Sequence, residues 1–181
     1  MFMERNAMLR AAADFLSRRP NATRSEIAKA IGVSPATFHR HFTGRDELLR
    51  GLEDRAAELM LAAIVDAHLE EGDCASAVHR LVAAAQDVAP YLALMYTQSQ
   101  VSDPDTTHPA WDEIDQAITG LFVRGKRSGE FTSELSASWL ADAFYGLMAS
   151  AEWAVQSGRA ARRDFTRMVT GMVLSGAHAR R

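Results

Sequence analysis

Residues 25–49 read SEIAKAIGVSPATFHRHFTGRDELL, and the spacing within this stretch predicts two short helices joined by a tight turn. Ile27, Ala28 and Ile31 share one face of the first helix, as positions i, i+1 and i+4 do. Gly32 ends that helix, because glycine enters the left-handed backbone conformation without a Cβ penalty. Two helices crossing at such a turn are how small domains present a helix to DNA.

Both predicted helices have start signals in the sequence. Thr23 precedes the first helix, and Glu26 follows it at the spacing of a capping box. Ser34 and Pro35 open the second helix, since serine caps helix ends and proline is tolerated at the first helical position. We therefore expect the helices to begin directly after Thr23 and Ser34.

The second predicted helix has an anchoring face and a reading face. Phe38 and Phe42 lie four residues apart and therefore share the side that packs on the domain. The rest of its circumference carries small or hydrogen-bonding side chains, as a surface in the major groove requires: Ala36, Thr37, His39 and Arg40. Arg45 opens the next helix, where its charge and the unpaired backbone amides are expected to meet a phosphate.

The order of these residues resembles the DNA-binding segment of the TetR/AcrR family of bacterial transcriptional regulators. That segment has a capped Ile-Ala helix, Gly-Val-Ser, a Thr-Leu-Tyr-x-His-Phe recognition helix and a Lys-x-x-Leu-Leu continuation, and the similarity covers roughly residues 5 to 50. The resemblance implies contacts to phosphates from Thr23, Thr37, His39 and Arg45. It implies positions near bases for Pro35, Ala36 and Arg40. Arg24 and Ser34 complete the expected DNA-binding set.

Two positions depart from the family's pattern. His39 stands where the family usually has tyrosine, and Phe38 stands where it usually has leucine. The phosphate contact at position 39 is therefore expected to be lost, weakened or dependent on pH. The pair His39 and His41 does not indicate a metal site, because residues two apart on a helix point in different directions and no further ligand follows at metal spacing. The rival interpretation of the whole segment is a capped helical unit that never touches nucleic acid.

Charge is distributed unevenly along the chain. Residues 1–50 carry nine Lys/Arg against five Asp/Glu, whereas residues 51–181 carry eleven against eighteen, and the net charges of +4 and −7 sum to the formal −3. A chain that is acidic overall is a poor non-specific ligand for nucleic acid, but a local basic excess suffices for a phosphate footprint. The charge pattern therefore favours a DNA-binding segment of residues 1–50 and a body of residues 51–181.

Length and composition restrict the class of protein. With 181 residues and 48% hydrophobic content, the chain can bury one large core or two small ones. It has no apolar run long enough for a membrane span and no signal-like start, so we expect a cytoplasmic protein without a membrane partner. Its single cysteine, Cys74, cannot form an internal disulfide, which agrees with a reducing compartment. No phosphate loop, nucleophile elbow or metal spacing indicates an enzyme or a cofactor.

The body has a helical pattern throughout, without the alternation typical of strands. We predict an all-α chain of about nine helices, in which a three-helix helix-turn-helix domain precedes a helical ligand-binding and dimerisation domain. Besides the two short helices on either side of Gly32, the expected helices cover 4–17, 45–69, 75–87, 89–100, 110–128, 134–156 and 162–178, with a loop at 102–109. The turn Ser128-Gly129-Glu130-Phe131 resembles the one that precedes the last two helices in the same family.

The last two expected helices are apolar on more than one side. A helix with so wide an apolar arc must bury the extra face, and a second copy of the chain is the natural partner. The expected interface residues are Phe144, Leu147, Ala151, Phe165, Met168, Val169, Met172 and Val173. These helices also carry small residues that would let two helices approach closely: Gly146, Ala149, Ser150, Gly171, Ser175 and Gly176. The alternative is that these small residues merely pack inside one subunit. A homodimer predicts a near-palindromic operator, because two-fold related reader helices enter successive major grooves.

In the resembled family, the body encloses a small-molecule effector that changes the affinity for DNA. The expected ligand contacts are His68, Tyr91, Met95, Tyr96, Gln98, Trp111 and Tyr145. Most of them are large and apolar, which favours a hydrophobic or aromatic effector. Repression is the more frequent outcome in the resembled family and is adopted here. The alternatives are a dimeric DNA-binding protein without a ligand, whose body serves only to dimerise, and a helical protein-interaction adaptor.

Overall fold

The computed structural model describes residues 4–98 and 109–178. Within these ranges the helices, in chain order, are α1 (Arg5–Leu16), α2 (Arg24–Ala30), α3 (Pro35–His41), α4 (Arg45–Ala67), α5 (Cys74–Ala84), α6 (Ala89–Gln98), α7 (Ala110–Ser128), α8 (Ala137–Gln156) and α9 (Phe165–Ala177). Two short 3₁₀ turns, Ala85–Val88 and Arg162–Asp164, lead into α6 and α9. The prediction of an all-α chain is confirmed. The side chain of Gln98 and the loop expected at 102–109, except Pro109, lie outside the described residues.

The N-terminal helices form around apolar residues at helical spacing. The side of α1 that faces inward is fully buried and consists of Met8, Leu9, Ala12, Ala13 and Leu16. It packs against α2 and α4, whose inward residues include Ile27, Ala28, Leu48 and Leu52. The aromatic rings of Phe38 and Phe42 fill the space beneath α3. This small core determines which side of α3 faces outward.

Helix α4 connects the N-terminal helices to the body. It runs without a break through residue 50, the expected domain boundary, and ends at Ala67, two residues before the expected end. It ends there because His68 adopts a left-handed conformation with φ of 46°, which stops the helical hydrogen bonding. The Arg80 guanidinium then donates hydrogen bonds to the carbonyl oxygens of Ala67, His68 and Glu71 at 2.7, 3.0 and 2.7 Å, which satisfies the end of the helix.

The body is built from α5 to α9, with α8 in contact with α6, α7 and α9. The turn after α7 forms where the sequence indicates it, with Gly129 in the left-handed conformation. Glu130 then reaches back to α5 and accepts a hydrogen bond from the backbone amide of Cys74 at 2.7 Å. Phe131 inserts beside Gly125, where a Cβ atom would lie 2.1 Å from the ring. The absence of a side chain at Gly125 thus lets this ring approach α7.

The buried apolar residues form a single cluster that extends from Met8 to Ala177. Both the N-terminal helices and the body contribute to it, so the core is continuous across the expected domain boundary. Of the helices in the described part of the chain, none is both long enough and apolar enough to cross a membrane.

Candidate nucleic-acid interface

Helix α2, the first of the two short helices beside Gly32, begins with a reciprocal cap between Thr23 and Glu26. The Glu26 amide donates to the Thr23 hydroxyl oxygen at 3.3 Å, and the Glu26 carboxylate accepts from the Thr23 amide at 2.8 Å and from its hydroxyl at 2.7 Å. These hydrogen bonds, first that of the Thr23 side chain, hold the pKa of Glu26 below its usual value. The predicted capping box is confirmed.

The turn between α2 and α3 has the geometry that the glycine indicated. Gly32 has φ of 77°, and the Val33 amide donates to the carbonyl oxygen of Ala28 at 3.0 Å, which closes α2. Ser34 caps α3 by accepting from the Thr37 amide at 3.1 Å, and its hydroxyl donates to the Thr37 hydroxyl at 2.9 Å. The positions of both helices therefore follow from local sequence signals.

Helix α3 has the predicted anchoring and outward faces. Phe38 and Phe42 are buried, with ring centroids 5.3 Å apart. The side chains on the outward face are exposed or half-buried and comprise Ser34, Pro35, Ala36, Thr37, His39 and Arg40. His41 points elsewhere, because its Nε2 atom is buried without a hydrogen-bond partner. The described residues contain no group of His, Cys, Asp and Glu that could hold a metal ion.

An open groove of about 530 Å³ separates the N-terminal ends of α2 and α3. It is lined by Thr23, Arg24, Ser25, Pro35, Phe38 and His39. Four of these, all but Ser25 and Phe38, belong to the expected DNA-binding set. The groove thus borders the starts of both helices, where the positive ends of the helix dipoles lie and favour an anion such as a phosphate. The structure thus brings Thr23 and His39, expected at phosphates, and Pro35, expected near bases, onto one surface.

Two expected DNA contacts have partners within the chain. The Arg24 guanidinium donates to the carbonyl oxygen of Thr43 at 3.0 Å, which links α2 to the turn before α4. Arg45 is half-buried and donates to the carbonyl oxygens of Pro20 and Ala22. Arg45 therefore does not project outward as a phosphate ligand in this structure, because the loop before α2 places two carbonyl oxygens within its reach. The sequence offered no signal for this contact, which spans more than twenty residues.

Comparison with known proteins agrees with this geometry. The family of bacterial regulatory proteins, tetR family, matches residues 9–52. The HTH-type transcriptional regulator NfxB from Pseudomonas aeruginosa is 30% identical over 173 residues, which is 94% of this chain and 92% of NfxB. This chain belongs to the TetR family.

Further relatives support the assignment. The HTH-type transcriptional repressor LfrR from Mycolicibacterium smegmatis is 30% identical over 155 residues, which cover 85% of this chain and 80% of LfrR. The crystal structure of LfrR in complex with proflavine has a TM-score of 0.70 and 28% sequence identity, and the similarity covers 97% of each chain. The protein is thus a TetR-like, DNA-binding transcriptional regulator rather than an enzyme, as the sequence predicted.

In this TetR-family chain, most of the expected dimer contacts face the subunit's own core. Those that are buried within the single subunit are Phe144, Ala151, Phe165, Val169 and Val173. Their burial corrects the expected interface, because α8 and α9 pack these residues against each other and against the helices beneath them. Leu147 and Met168 are half-buried, and only Met172 among the expected residues is strongly exposed, at 63%.

The outward face of α8 instead carries two tryptophans that the expected interface did not include. Trp139 is 56% and Trp153 is 46% exposed, and Gly146 lies midway between them. The three residues are seven apart, so they lie along one side of the helix. This heptad spacing was visible in the sequence and could have identified the outward face. We name Trp139, Gly146, Trp153 and Met172 the α8–α9 face.

The expected ligand contacts are divided between the interior and the surface. Tyr91, Trp111 and Tyr145 are buried, Met95 is half-buried, and Tyr96 is exposed. Trp111 and Tyr145 meet edge to face with centroids 6.2 Å apart, and the Tyr145 hydroxyl donates to Asp115 at 2.7 Å. Burial, followed by this hydrogen bond, raises the pKa of Tyr145.

His68 does not belong with the other expected ligand contacts. It is the left-handed residue that ends α4, and its side chain is 61% exposed. Its ring lies 3.7 Å from the Glu71 carboxylate, on the surface of the chain. The expectation that it lines an interior site is therefore wrong, because the end of α4 directs it to solvent.

Proposed function

We propose that this regulator is a cytoplasmic repressor that binds a near-palindromic operator as a homodimer and is released by a small hydrophobic or aromatic effector. The observation that carries the proposal is the outward face of α3 beside the groove at the two helix starts. It combines Thr23 and Thr37 with Pro35, His39 and Arg40 on one exposed surface. Hydroxyl, imidazole and guanidinium groups donate to phosphate oxygens and base edges, so this surface suits duplex DNA.

The homodimer is supported by the α8–α9 face. Its two tryptophans and Met172 are large apolar side chains on two adjacent helices, and each is about half exposed or more in the single subunit. Exposed aromatic residues of this size are enriched at protein interfaces. A two-fold contact through α8 and α9 would bury them in a four-helix arrangement.

Dimerisation gives the DNA contact its specificity. Two α3 helices related by a two-fold axis enter successive major grooves when they are about 34–36 Å apart, one turn of B-DNA. The operator is therefore expected to consist of two inverted half-sites with a fixed spacing. Any change in the body that alters the separation of the α3 helices weakens binding to both half-sites together.

The proposed effector site lies among Met95, Tyr96, Trp111 and Tyr145, on α6, α7 and α8. The Trp111 indole nitrogen is buried without a hydrogen-bond partner, so it can donate to a ligand acceptor. The adjoining aromatic rings provide apolar surface for a planar molecule. The LfrR structure contains proflavine, a planar aromatic compound, which makes it a reasonable probe. An effector that favours the DNA-free state weakens operator binding by the same factor by which DNA weakens effector binding.

Selection of DNA from a random pool with the purified protein tests the DNA part of the proposal. We expect enrichment of an inverted repeat, bound at physiological salt far more tightly than unrelated duplexes. Equal binding to every duplex, or enrichment of a single unrepeated site by a monomer, would overturn it. Loss of expression from a reporter promoter that contains the selected site would distinguish repression from activation.

Thermal unfolding with proflavine tests the effector part. We expect proflavine to raise the unfolding temperature and to release the selected DNA. Trp111→Phe removes the indole donor and should weaken both effects, whereas Val123→Ala, at an exposed position on the same helix, serves as the control. If neither proflavine nor a broad set of aromatic compounds alters stability or DNA binding, the ligand-free dimeric regulator is the better description.

A further inference from the structure

Helix α1 faces the body through a polar stripe. Arg10, Asp14 and Ser17 are four and three residues apart, so they lie on one side of the helix. At the first of them, the Arg10 guanidinium donates to the Asp87 carboxylate at 2.9 Å and to the Asp87 carbonyl oxygen at 3.2 Å. The same guanidinium lies 3.6 Å from the Asp14 carboxylate. The N-terminal helices are thus connected to the body by directional bonds as well as by apolar packing.

Gln156, at the end of α8, is the centre of this contact. The Ser17 hydroxyl donates to its amide oxygen at 2.9 Å. Its amide nitrogen donates to the Glu152 carboxylate at 3.1 Å and, at a longer 3.4 Å, to the Asp14 carboxylate. A primary amide suits this position because it accepts and donates at once. One side chain of the body therefore binds Asp14 of α1 and Ser17, the residue that caps the end of α1.

Glu152 fixes Gln156 from the other side. Its side chain is completely buried and forms two hydrogen bonds with the Arg162 guanidinium, at 2.6 and 2.7 Å. A buried carboxylate without its partner is strongly unfavourable, so this pair holds Glu152 in one place. Arg162 belongs to the 3₁₀ turn before α9, so the contact involves the ends of both helices that carry the α8–α9 face.

We propose that the chain of hydrogen bonds Ser17–Gln156–Glu152 is a positioning element that fixes the orientation of the DNA-binding helices relative to the α8–α9 face. Glu152 is the sequence neighbour of Trp153, whose ring lies on that face. A movement of α8 at the dimer contact therefore reaches α1 through the Gln156 amide, which the buried Glu152 carboxylate holds in place from one turn earlier on the same helix. Apolar burial is non-directional, whereas hydrogen bonds with defined donors and acceptors select one arrangement of the two helices.

The proposed positioning element should determine which spacing between the two half-sites the dimer can bind. This consequence rests on the proposed function, because a fixed tilt of α1 sets the separation of the two α3 helices only in a dimer. With the hydrogen bonds Ser17–Gln156–Glu152 intact, the dimer should discriminate sharply between operators whose half-sites differ in spacing. With these hydrogen bonds removed, the same dimer should accept a wider range of spacings.

The first experiment needs no DNA. A donor and an acceptor dye are placed at the exposed positions Ala30 on α2 and Ala83 on α5, changed to cysteine with Cys74→Ala, in dimers with one labelled subunit. Single-molecule energy transfer then reports the orientation of the N-terminal helices. We expect one narrow distribution of transfer efficiencies for the labelled protein without further changes. Gln156→Leu and Ser17→Ala should each give a broader or displaced distribution.

The matched controls remove similar bonds within the body. Gln86→Leu breaks the hydrogen bond from the Gln86 amide to the Thr166 hydroxyl, at 2.7 Å, and Ser157→Ala removes an exposed hydroxyl at the end of α8. Both controls should leave the distribution unchanged. The proposal is overturned if Gln156→Leu and Ser17→Ala retain the narrow distribution, or if the controls broaden it equally.

The second experiment uses the selected operator with base pairs inserted or removed between its half-sites. We expect Gln156→Leu to reduce the preference for the best spacing by about fivefold or more, the lower end of ordinary coupling between sites. A merely structural role would lower affinity for all spacings by the same factor, and that result would overturn the proposal. If selection yields no operator, the proposed function fails. The energy-transfer experiment still decides whether the hydrogen bonds Ser17–Gln156–Glu152 orient α1.

Discussion

The guanidinium of Arg45 donates a hydrogen bond to the carbonyl oxygen of Ala22 at 3.0 Å, and a second bond goes to the carbonyl oxygen of Pro20. Arg45 is the first residue of α4, and the two carbonyls belong to the loop that leads into α2. The helix that connects to the body is thereby joined to the start of the DNA-binding helices. A residue that the family resemblance places at a phosphate therefore has partners within this chain.

We expect Arg45→Ala and Arg45→Lys to destabilise the fold, because lysine keeps the charge but cannot bind two carbonyls with a planar fork. The loss should be about 1–3 kcal/mol in the free energy of unfolding, measured with urea. Operator affinity should fall with the salt dependence unchanged. A salt slope reduced by about one, with normal stability, would instead show that Arg45 contacts a phosphate in the complex.

The features of the fold that could be predicted from the sequence are those set by neighbouring residues. The capping box at Thr23, the left-handed Gly32 and the cap at Ser34 each depend on residues within five positions, and all of them formed where the sequence indicated. The backbone partners of the Arg45 and Glu130 side chains could not be predicted, because they lie 23 to 56 residues away and are set by the tertiary packing.

The dimer and ligand sets show a second limit of the sequence. The apolar arc of α8 and α9 does not reveal which side faces the subunit's own core. The pattern therefore predicts Phe144 and Phe165 at the interface, although both are fully buried inside the subunit. Hydrophobicity alone cannot distinguish a core from an interface, because both exclude water. Only the heptad spacing of Trp139 and Trp153 contained that information.

Arg40→Ala and His39→Ala should separate the reading of bases from the binding of phosphate. Arg40 is expected near bases, so its loss should cost about 1–3 kcal/mol at the operator and relax the preference at one base pair. Loss of His39 should weaken operator and unrelated DNA alike. Both effects are measured by gel shift on the selected operator and on single-base variants. Arg127→Ala, at the exposed end of α7, is the control and should change neither. Equal loss on every sequence for Arg40→Ala would assign it to the phosphates.

Gly125→Ala should destabilise the protein by about 1–3 kcal/mol or more, because the new Cβ would lie 2.1 Å from the buried ring of Phe131. Gly120→Ala is the matched control on the same helix, since nothing lies within 4 Å of a Cβ there. That control should stabilise the protein by about 0.5–1 kcal/mol, the usual gain of alanine over glycine in a helix. Urea unfolding of both variants checks the pair, and equal changes would contradict the assigned contact.

Glu130→Gln should make stability less dependent on pH. Burial alone would raise the pKa of Glu130, but hydrogen bonds from the Ser128 hydroxyl and from the amides of Cys74 and Ala75 outweigh it and hold the pKa below the usual value. An acid with a lowered pKa stabilises the fold at pH values above its unfolded pKa, and this contribution disappears as the pH falls through the folded pKa.

We therefore expect Glu130→Gln to be less stable than the unchanged protein by about 1–2 kcal/mol at neutral pH. The difference should decrease as the pH falls below the ordinary range of a glutamate. Urea unfolding at a series of pH values measures it. Glu70→Gln, at an exposed position after α4, should follow the unchanged protein throughout. A difference between Glu130→Gln and the unchanged protein that stays constant with pH would show that the charge of Glu130 is not involved.

Met172→Glu should dissociate the dimer without unfolding the subunit. Met172 is 63% exposed on α9, so a carboxylate there is well solvated in the monomer, whereas a two-fold contact through the α8–α9 face would bring two such charges together. Like charges at an interface cost several kcal/mol, which is enough to separate the subunits at micromolar concentration. Sedimentation should show a monomer with unchanged helical content.

Because one half-site offers only half of the contacts, that monomer should bind the operator far more weakly than the dimer does, with little change on a single half-site. Val65→Glu introduces the same charge at a similarly exposed position on α4, with Val65 70% exposed, and should remain dimeric with normal operator affinity. If Val65→Glu dissociated the dimer and Met172→Glu did not, the interface would have to lie on α4 instead. A Met172→Glu monomer that retained full operator affinity would show that the two-fold clamp is not how this regulator binds DNA.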